Sequence, residues 1–503
     1  MYLPNKKDIP WKKKDYVLTI LQFFIYALVF AGLMVGLIFL NAGGASEFVK
    51  FFTTEKTIRD YVYLCAFIVI ICASLYLYLF CEFRDFLLQG KNIAVIFIIM
   101  QLSLAISIVM GKYVGIYARP VAFCSLLILL LVNKRTAIFV GFLFNLLVFV
   151  VDIFTNQSLS AVQATVSLVI CSCTSIFAIY LVDGVGSRIR VFVRGFFISL
   201  PVIALALLVE FKPEMTLNDF FMIVLHGFMG GMTSVLFMMA ILPVFEAVFN
   251  MLTNYRLAEI TDHKSKLIKR MIETAPGTFN HSMVVASLAE TCATAIGENP
   301  LLARAAAYYH DIGKLKQPIY FTENQHGYNP HDDLTPELST EIIRSHTKDG
   351  YDLIKKYHLP IILADVAREH HGTLPIQYFY AKALKYTEGE LNIEDFSYPG
   401  PKPHSKIAAI IMLADGCEAA VRAQNDRSRD KVEKIVGSII ADRMKLEQFS
   451  ECEITMREID LIREAIENGL SGVYHDRINY PKLNNRKVNA FEGESSDKGE
   501  KKE

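Results

Sequence analysis

Eight apolar runs, each near the roughly 20 residues that carry an α-helix across a lipid bilayer, follow one another between residues 17 and 242, and none lies beyond. They cover residues 17–40, 61–80, 93–110, 113–132, 136–151, 161–182, 196–209 and 220–242. The fourth contains Arg119, and the fifth and seventh are short, so these three carry the weakest signal. Charge divides the chain at the same place. The first 250 residues hold 18 Lys/Arg and 13 Asp/Glu, leaving 33 and 38 of the chain's 51 and 51 for the last 253. Such a chain is neither one soluble globule nor a disordered polymer. Its formal net charge of zero also argues against binding a nucleic-acid polymer by bulk charge.

The loops set an orientation. With the N-terminus inside, the inside segments carry Lys6, Lys7, Lys12, Lys13, Lys14, Arg84, Lys91, Lys134, Arg135, Arg188, Arg190 and Arg194. The outside segments carry only Lys50, Lys56, Arg59, Lys112 and Lys212. Twelve against five favours this topology, and an even number of spans puts the polar half on the same inside face. Lys12-Lys13-Lys14 before the first run resembles the start of a signal peptide, but 24 apolar residues exceed the ~7–15 of its apolar region, which favours a retained anchor. Asp152, Asp183, Glu210 and Glu246 fall at predicted span ends, where headgroup contact suffices. Asn145 and Gln101 read as helix-packing residues. These features suit an anchor or receptor better than a transporter. The loop 41–60 is too short for a folded sensor domain.

The polar half reads almost entirely as helices: 281–296, 301–309, 337–357, 361–370, 405–423, 429–449 and 456–474. Irregular inserts at 317–336 and 388–403 interrupt them, and the polar stretch 484–503 lacks the apolar residues for a core. The organisation expected is a basic N-terminus (1–16), a membrane domain (17–242), a linking helix (243–271), a soluble domain (272–483) and a disordered tail (484–503). The nine cysteines form no C-x-x-C pair. Five of them lie in apolar runs, which fits buried thiols in a reducing compartment rather than a disulfide framework.

Histidine carries the chemistry. Of twelve, five fall in a series with two aspartates: His281, His310-Asp311, His346, His370-His371 and Asp415. Adjacent residues on a helix project about 100° apart, so a pair at a helix end can serve one pocket or two neighbouring metals. Imidazole and carboxylate suit Fe, Mn, Co or Zn, and the lack of thiolate disfavours structural zinc. Seven ligands exceed the needs of one metal but suit two. Paired metals promote phosphoester cleavage by activating water and neutralising charge on the phosphoryl oxygens.

The same series is the metal-ligand order of HD-domain phosphohydrolases. Thr274-Ala275-Pro276-Gly277-Thr278-Phe279-Asn280-His281-Ser282 and Tyr308-Tyr309-His310-Asp311-Ile312-Gly313-Lys314-Leu315-Lys316 resemble the seven-transmembrane HD family, in particular its PgpH-type cyclic di-AMP phosphodiesterases. Asn329-Pro330-His331-Asp332, His370-His371-Gly372-Thr373, Tyr398-Pro399-Gly400-Pro401-Lys402-Pro403, Leu413-Ala414-Asp415 and Arg477-Ile478-Asn479-Tyr480-Pro481 extend the resemblance over about 210 residues. Eight spans match one leading anchor plus the family's seven. The chain departs from the family in having only residues 41–60 where a large extracellular domain is usual, and Leu374-Pro375 reshapes one loop. No Gly-Tyr-Pro signature follows His370-His371, which disfavours the related branch that cleaves cyclic di-GMP.

The resemblance implies a cytoplasmic all-helical HD domain, a metal-dependent phosphohydrolase anchored in the bacterial plasma membrane. It implies cyclic di-AMP as substrate and two divalent transition metal ions, Mn or Fe, as cofactors. His281, His310, Asp311 and Asp415 would hold one ion and His346, His370 and His371 the other, with Asp311 bridging. Lys314, one turn after Asp311, would contact a substrate phosphate as a catalytic and binding residue. His326, His331 and His404 read as loop residues, while His226, His263, His358 and His475 receive no role. A homo-oligomer stays open. The alternatives are hydrolysis of another nucleotide, cyclic di-GMP or guanosine tetraphosphate, or a non-catalytic nucleotide receptor.

Overall fold

The computed structural model describes residues 11–42, 55–155, 161–386 and 390–473. Most of the loop 41–60, the tail 484–503, the 477–481 motif and His475 lie outside these residues. The described residues form helices and no named strand, as expected; the single bridge pairs Pro375 with Ser397.

Eight helices make up the apolar half: α1 Lys13–Ala42, α2 Glu55–Glu82, α3 Gly90–Tyr113, α4 Ala122–Leu131, α5 Lys134–Thr155, α6 Ala161–Val182, α7 Arg188–Glu210 and α8 Leu217–Val248. Among the described residues seven are long and apolar enough to cross a membrane, and the fourth run is the exception. It forms a 3-10 turn, Ile116–Ala118, and then only the ten residues of α4. The break has two local causes. Gly115 opens the turn, and Pro120 cannot donate the amide that would continue a helix.

The segment is nevertheless interior, since nine of its ten helical residues are buried. Arg119 at its head forms a two-pronged pair with Asp152 on α5, at 2.5 and 2.7 Å, and both are buried. Headgroup contact therefore does not explain Asp152, contrary to the sequence reading. The other end carboxylates also have partners: Tyr117 donates to Glu210 (2.9 Å) and Lys134 pairs with Asp183 (3.0 Å). Asn145 does bridge helices, donating to Ser175. Glycine sets the spacing of α7 and α8. A Cβ on Gly231 would stand 2.7 Å from the Ser199 backbone nitrogen, so the two backbones touch only because the side chain is missing.

One continuous linking helix over 243–271 is not what forms. Helix α8 runs through Pro243 and stops at Val248, and Asn250 adopts a left-handed conformation with φ +50°. Thr253 then caps a new helix, α9 Asn254–Ile260, by accepting from the Arg256 amide at 3.1 Å. After a turn comes α10 Lys266–Thr274. Helix α9 is held back to the membrane half: Tyr255 donates to the Val185 carbonyl (2.8 Å) and Arg188 pairs with Glu259 (2.6 Å).

The remaining helices are α11 Pro276–Ile296, α12 Pro300–Tyr309, α13 Pro336–Lys356, α14 Ile361–Glu369, α15 Gln377–Leu384, α16 Lys406–Arg422, α17 Arg429–Lys445 and α18 Met456–Val473. The chain divides into two compact units. One comprises Met1–Phe279, Tyr308–Pro330 and Ser345–Arg368; the other comprises Asn280–Ala307, His331–Arg344 and Glu369–Glu503. The core of the first is built from α1 to α8 around Phe86, Phe123 and Phe144. In the second, α16 is central, with twelve of its seventeen residues buried. Leu288 closes on α18 at Gly469, where a Cβ would meet it at 2.5 Å.

Candidate metal centre

His310 and Asp311 stand where α12 gives way to a 3-10 turn, Ile312–Lys316. That turn needs its glycine. A Cβ on Gly313 would fall 1.9 Å from the His346 carbonyl oxygen and 2.5 Å from the Gly350 nitrogen, so only glycine lets the turn lie against α13. The close approach brings three expected ligands together. The two Asp311 oxygens point different ways: Oδ2 is 3.3 Å from His310 Nε2, and Oδ1 is 3.4 Å from His346 Nε2. All three side chains are buried.

Lys314 Nζ lies between two carboxylates, 2.7 Å from Asp311 Oδ2 and 2.9 Å from Glu323 Oε1. Thr278 also donates to Glu323 Oε1, at 3.0 Å. Burial pushes the Glu323 carboxyl up, but the attraction of Lys314 prevails and holds it below the usual carboxylate range.

The other ligands follow from α11, α14 and α16. His281 sits on α11 with Nε2 2.9 Å from Asp415 Oδ1 and Nδ1 2.5 Å from Glu418 Oε2. The Glu418 carboxylate fixes the ring, so that Nε2 and the Asp415 carboxylate converge. His370 and His371 follow α14 directly, with ring centroids 4.0 Å apart, and His371 stacks on Tyr398 at 4.3 Å. Gly372 follows with φ +53°, and the buried Gln448 clasps Thr373, accepting from its amide at 3.0 Å.

Among the described residues two sets of side chains could each hold a metal ion. One is Asp311, His346, His370 and His371; the other is His281, His310 and Asp415. Within each set the ligand atoms lie within 4.8 Å of one another. The donors are imidazole nitrogen and carboxylate oxygen only, which fits a divalent metal ion. All seven expected residues fall in these sets.

Among the described residues the other histidines do not join them. His331 packs on Phe379, His404 pairs with Glu369 and Glu451, and His263 lies against Phe279. Sequence reasoning missed two carboxylates, Glu418 and Glu323. Glu418 was within reach, because it follows Asp415 by three residues and so shares its helix face. Glu323 lies in an irregular insert and carries no periodic signal.

Comparison with known proteins places the same segments in families. The family model described as "HD domain" matches residues 278–420, and that described as "7TM receptor with intracellular HD hydrolase" matches residues 58–253. Six of the seven long apolar helices fall in the second range, together with the short apolar segment 116–131. The chain is thus a multi-pass membrane protein, with one long apolar helix ahead of the matched range.

The cyclic-di-AMP phosphodiesterase PgpH of Listeria monocytogenes is 39% identical over 365 residues, covering 72% of this chain and 50% of that protein. PgpH of Bacillus subtilis is 38% identical over 368 residues, covering 73% of this chain and 51% of that protein. The chain therefore spans about half the length of these curated relatives. The crystal structure of the L. monocytogenes PgpH HD domain in complex with cyclic-di-AMP shows 50% identity, covering 42% of this chain and 99% of that one, with a TM-score of 0.41.

Proposed function

We propose that this chain, similar to seven-transmembrane proteins with an intracellular HD hydrolase domain, hydrolyses cyclic di-AMP to pApA at a dinuclear metal centre. The observation that carries this reading is the sorting of all seven His/Asp residues into two ligand sets, with the Asp311 oxygens turned to different histidines. The resemblance to PgpH supplies the substrate.

We assign His281, His310, Asp311 and Asp415 to one ion and His346, His370 and His371 to the other, with Asp311 shared and Mn or Fe as the metals. Bound metals at such a pair polarise phosphoryl oxygens and acidify water. The chain's residues prepare that chemistry. Glu418 keeps the His281 ring turned so that Nε2 faces the centre, and burial keeps the imidazoles from swinging away. Lys314 offsets the charge of Asp311 and holds it in one orientation; to reach a phosphate as well, its ammonium has to leave a carboxylate partner.

Full-length protein incubated with cyclic di-AMP, cyclic di-GMP and guanosine tetraphosphate under Mn²⁺ or Fe²⁺ should turn over the first to pApA. Preferential cleavage of either other nucleotide, read by product chromatography, would replace this reading.

The bilayer in this proposal is the bacterial plasma membrane, with the HD domain in the cytoplasm, where the substrate is reached. The short segment 116–131 decides the parity. If it crosses, a reporter after Asp219 reads outside and one after Pro481 inside. If it returns to the side it entered from, both readings invert and Lys134, Arg135, Arg188, Arg190 and Arg194 move outside. The charge bias selects the first outcome, and an exported Pro481 fusion would overturn it.

A further inference from the structure

A cyclic dinucleotide carries two phosphodiester anions, and a site that takes one needs cations not already committed elsewhere. Lys314 has two carboxylate partners, and Arg422 pairs with Glu418 at 3.3 Å. Arg443 differs. Among the described residues its guanidinium makes no hydrogen bond or ion pair, and its Nε is buried without a partner.

Its place follows from the helix register. Val432, Val436 and Ile440 form the buried face of α17, and Arg443 continues that face three residues on. Its Nη2 lies 3.4 Å from where a Cβ on Gly416 would stand, beside the ligand Asp415, whose charge reaches the guanidinium. At the end of α17 the chain turns so that the Gln448 amide donates to the Arg443 carbonyl (3.0 Å). The same Gln448 clasps Thr373, two residues beyond His371. Arg443 is therefore fixed next to two of the ligand-bearing segments. A guanidinium half-removed from water without an anion is unfavourable, and its planar fork matches a phosphate oxygen pair better than an ammonium does.

We infer that Arg443 is a substrate-binding residue that takes a phosphate of the cyclic dinucleotide. The inference rests on the functional reading above. The test compares full-length wild type, Arg443→Gln and Arg443→Lys in detergent, with metal content and helicity measured on each. In Arg443→Gln, KM for cyclic di-AMP should rise about tenfold or more, with bound metal and helix content unchanged. The Kd for a non-hydrolysable phosphorothioate analogue of cyclic di-AMP, measured by equilibrium dialysis on the metal-loaded variants, should rise in parallel. Arg443→Lys should recover part of both, since it restores the charge but not the fork. Unchanged KM and Kd in Arg443→Gln would overturn the inference while leaving a wild-type activity, and so the functional reading, intact. Loss of bound metal with unchanged Kd would also overturn it, making Arg443 a support for Asp415. If wild type leaves cyclic di-AMP intact, the functional reading fails first.

Discussion

Asp311→Ala should reduce turnover of cyclic di-AMP to background and strip most of the bound metal. This is the largest effect expected of any single substitution in the chain. The two Asp311 oxygens lie 3.3 and 3.4 Å from nitrogens of two different histidines, so no other residue stands in for both. Losing an outer partner of a metal ligand costs about 10–100-fold, and loss of the shared ligand should exceed the upper figure. Lys314 would keep Glu323 as its partner, so the 3-10 turn and the fold should survive, and helix content should stay at the wild-type level. His346→Ala makes the useful contrast: it removes one ligand from one set and should leave roughly one ion per chain. Elemental analysis together with product chromatography reads both variants. Wild-type rates in Asp311→Ala protein would rule out a dinuclear mechanism.

What the sequence made legible, and what it hid, divides by the range of the interactions. Span-length apolar runs are local, and seven of the eight became helices able to cross a membrane. The ligand series is legible for a different reason: it is a pattern of residue types that resembles a family, and some of its members lie close to a glycine whose role can be checked. Gly313 and Gly372 are such points, one for close approach and one for a left-handed turn.

The hidden features depend on partners distant in sequence or on single residues that leave the pattern unchanged. Asp152 looks like a span-end carboxylate until Arg119, 33 residues earlier, is placed against it. The linking helix looks continuous over 243–271 because the apolar spacing persists. The left-handed Asn250 and the Thr253 cap that break it are single residues, compatible with the same pattern. Glu323 and Arg443 matter through what they face, or do not face, in space.

The Arg119–Asp152 pair should be the feature of the membrane half most sensitive to mutation. Both side chains are buried, and the geometry is a bidentate fork at 2.5 and 2.7 Å. Removing one member leaves the other as an uncompensated buried charge, a loss of about 3–5 kcal/mol. Arg119→Ala and Asp152→Ala should therefore each lower the unfolding midpoint of the full-length protein in detergent by a large and similar amount. The double replacement Arg119→Met with Asp152→Leu should recover most of the loss, because a packed apolar pair of comparable volume is often no less stable than a buried ion pair.

Gly111→Ala attacks the same pair from the side. The added Cβ would stand 2.3 Å from Arg119 Nε, so the guanidinium has to shift or the pair has to loosen, with an intermediate loss. If the double apolar variant is as unstable as either single variant, the charges themselves hold the segment together and the packing account fails. If it regains stability but the Asp219 reporter changes sides, the pair serves orientation instead: it anchors the broken fourth segment against α5 so that residues 116–131 count as a crossing. That outcome would tie one buried ion pair to the side of the membrane on which the metal ligands are placed.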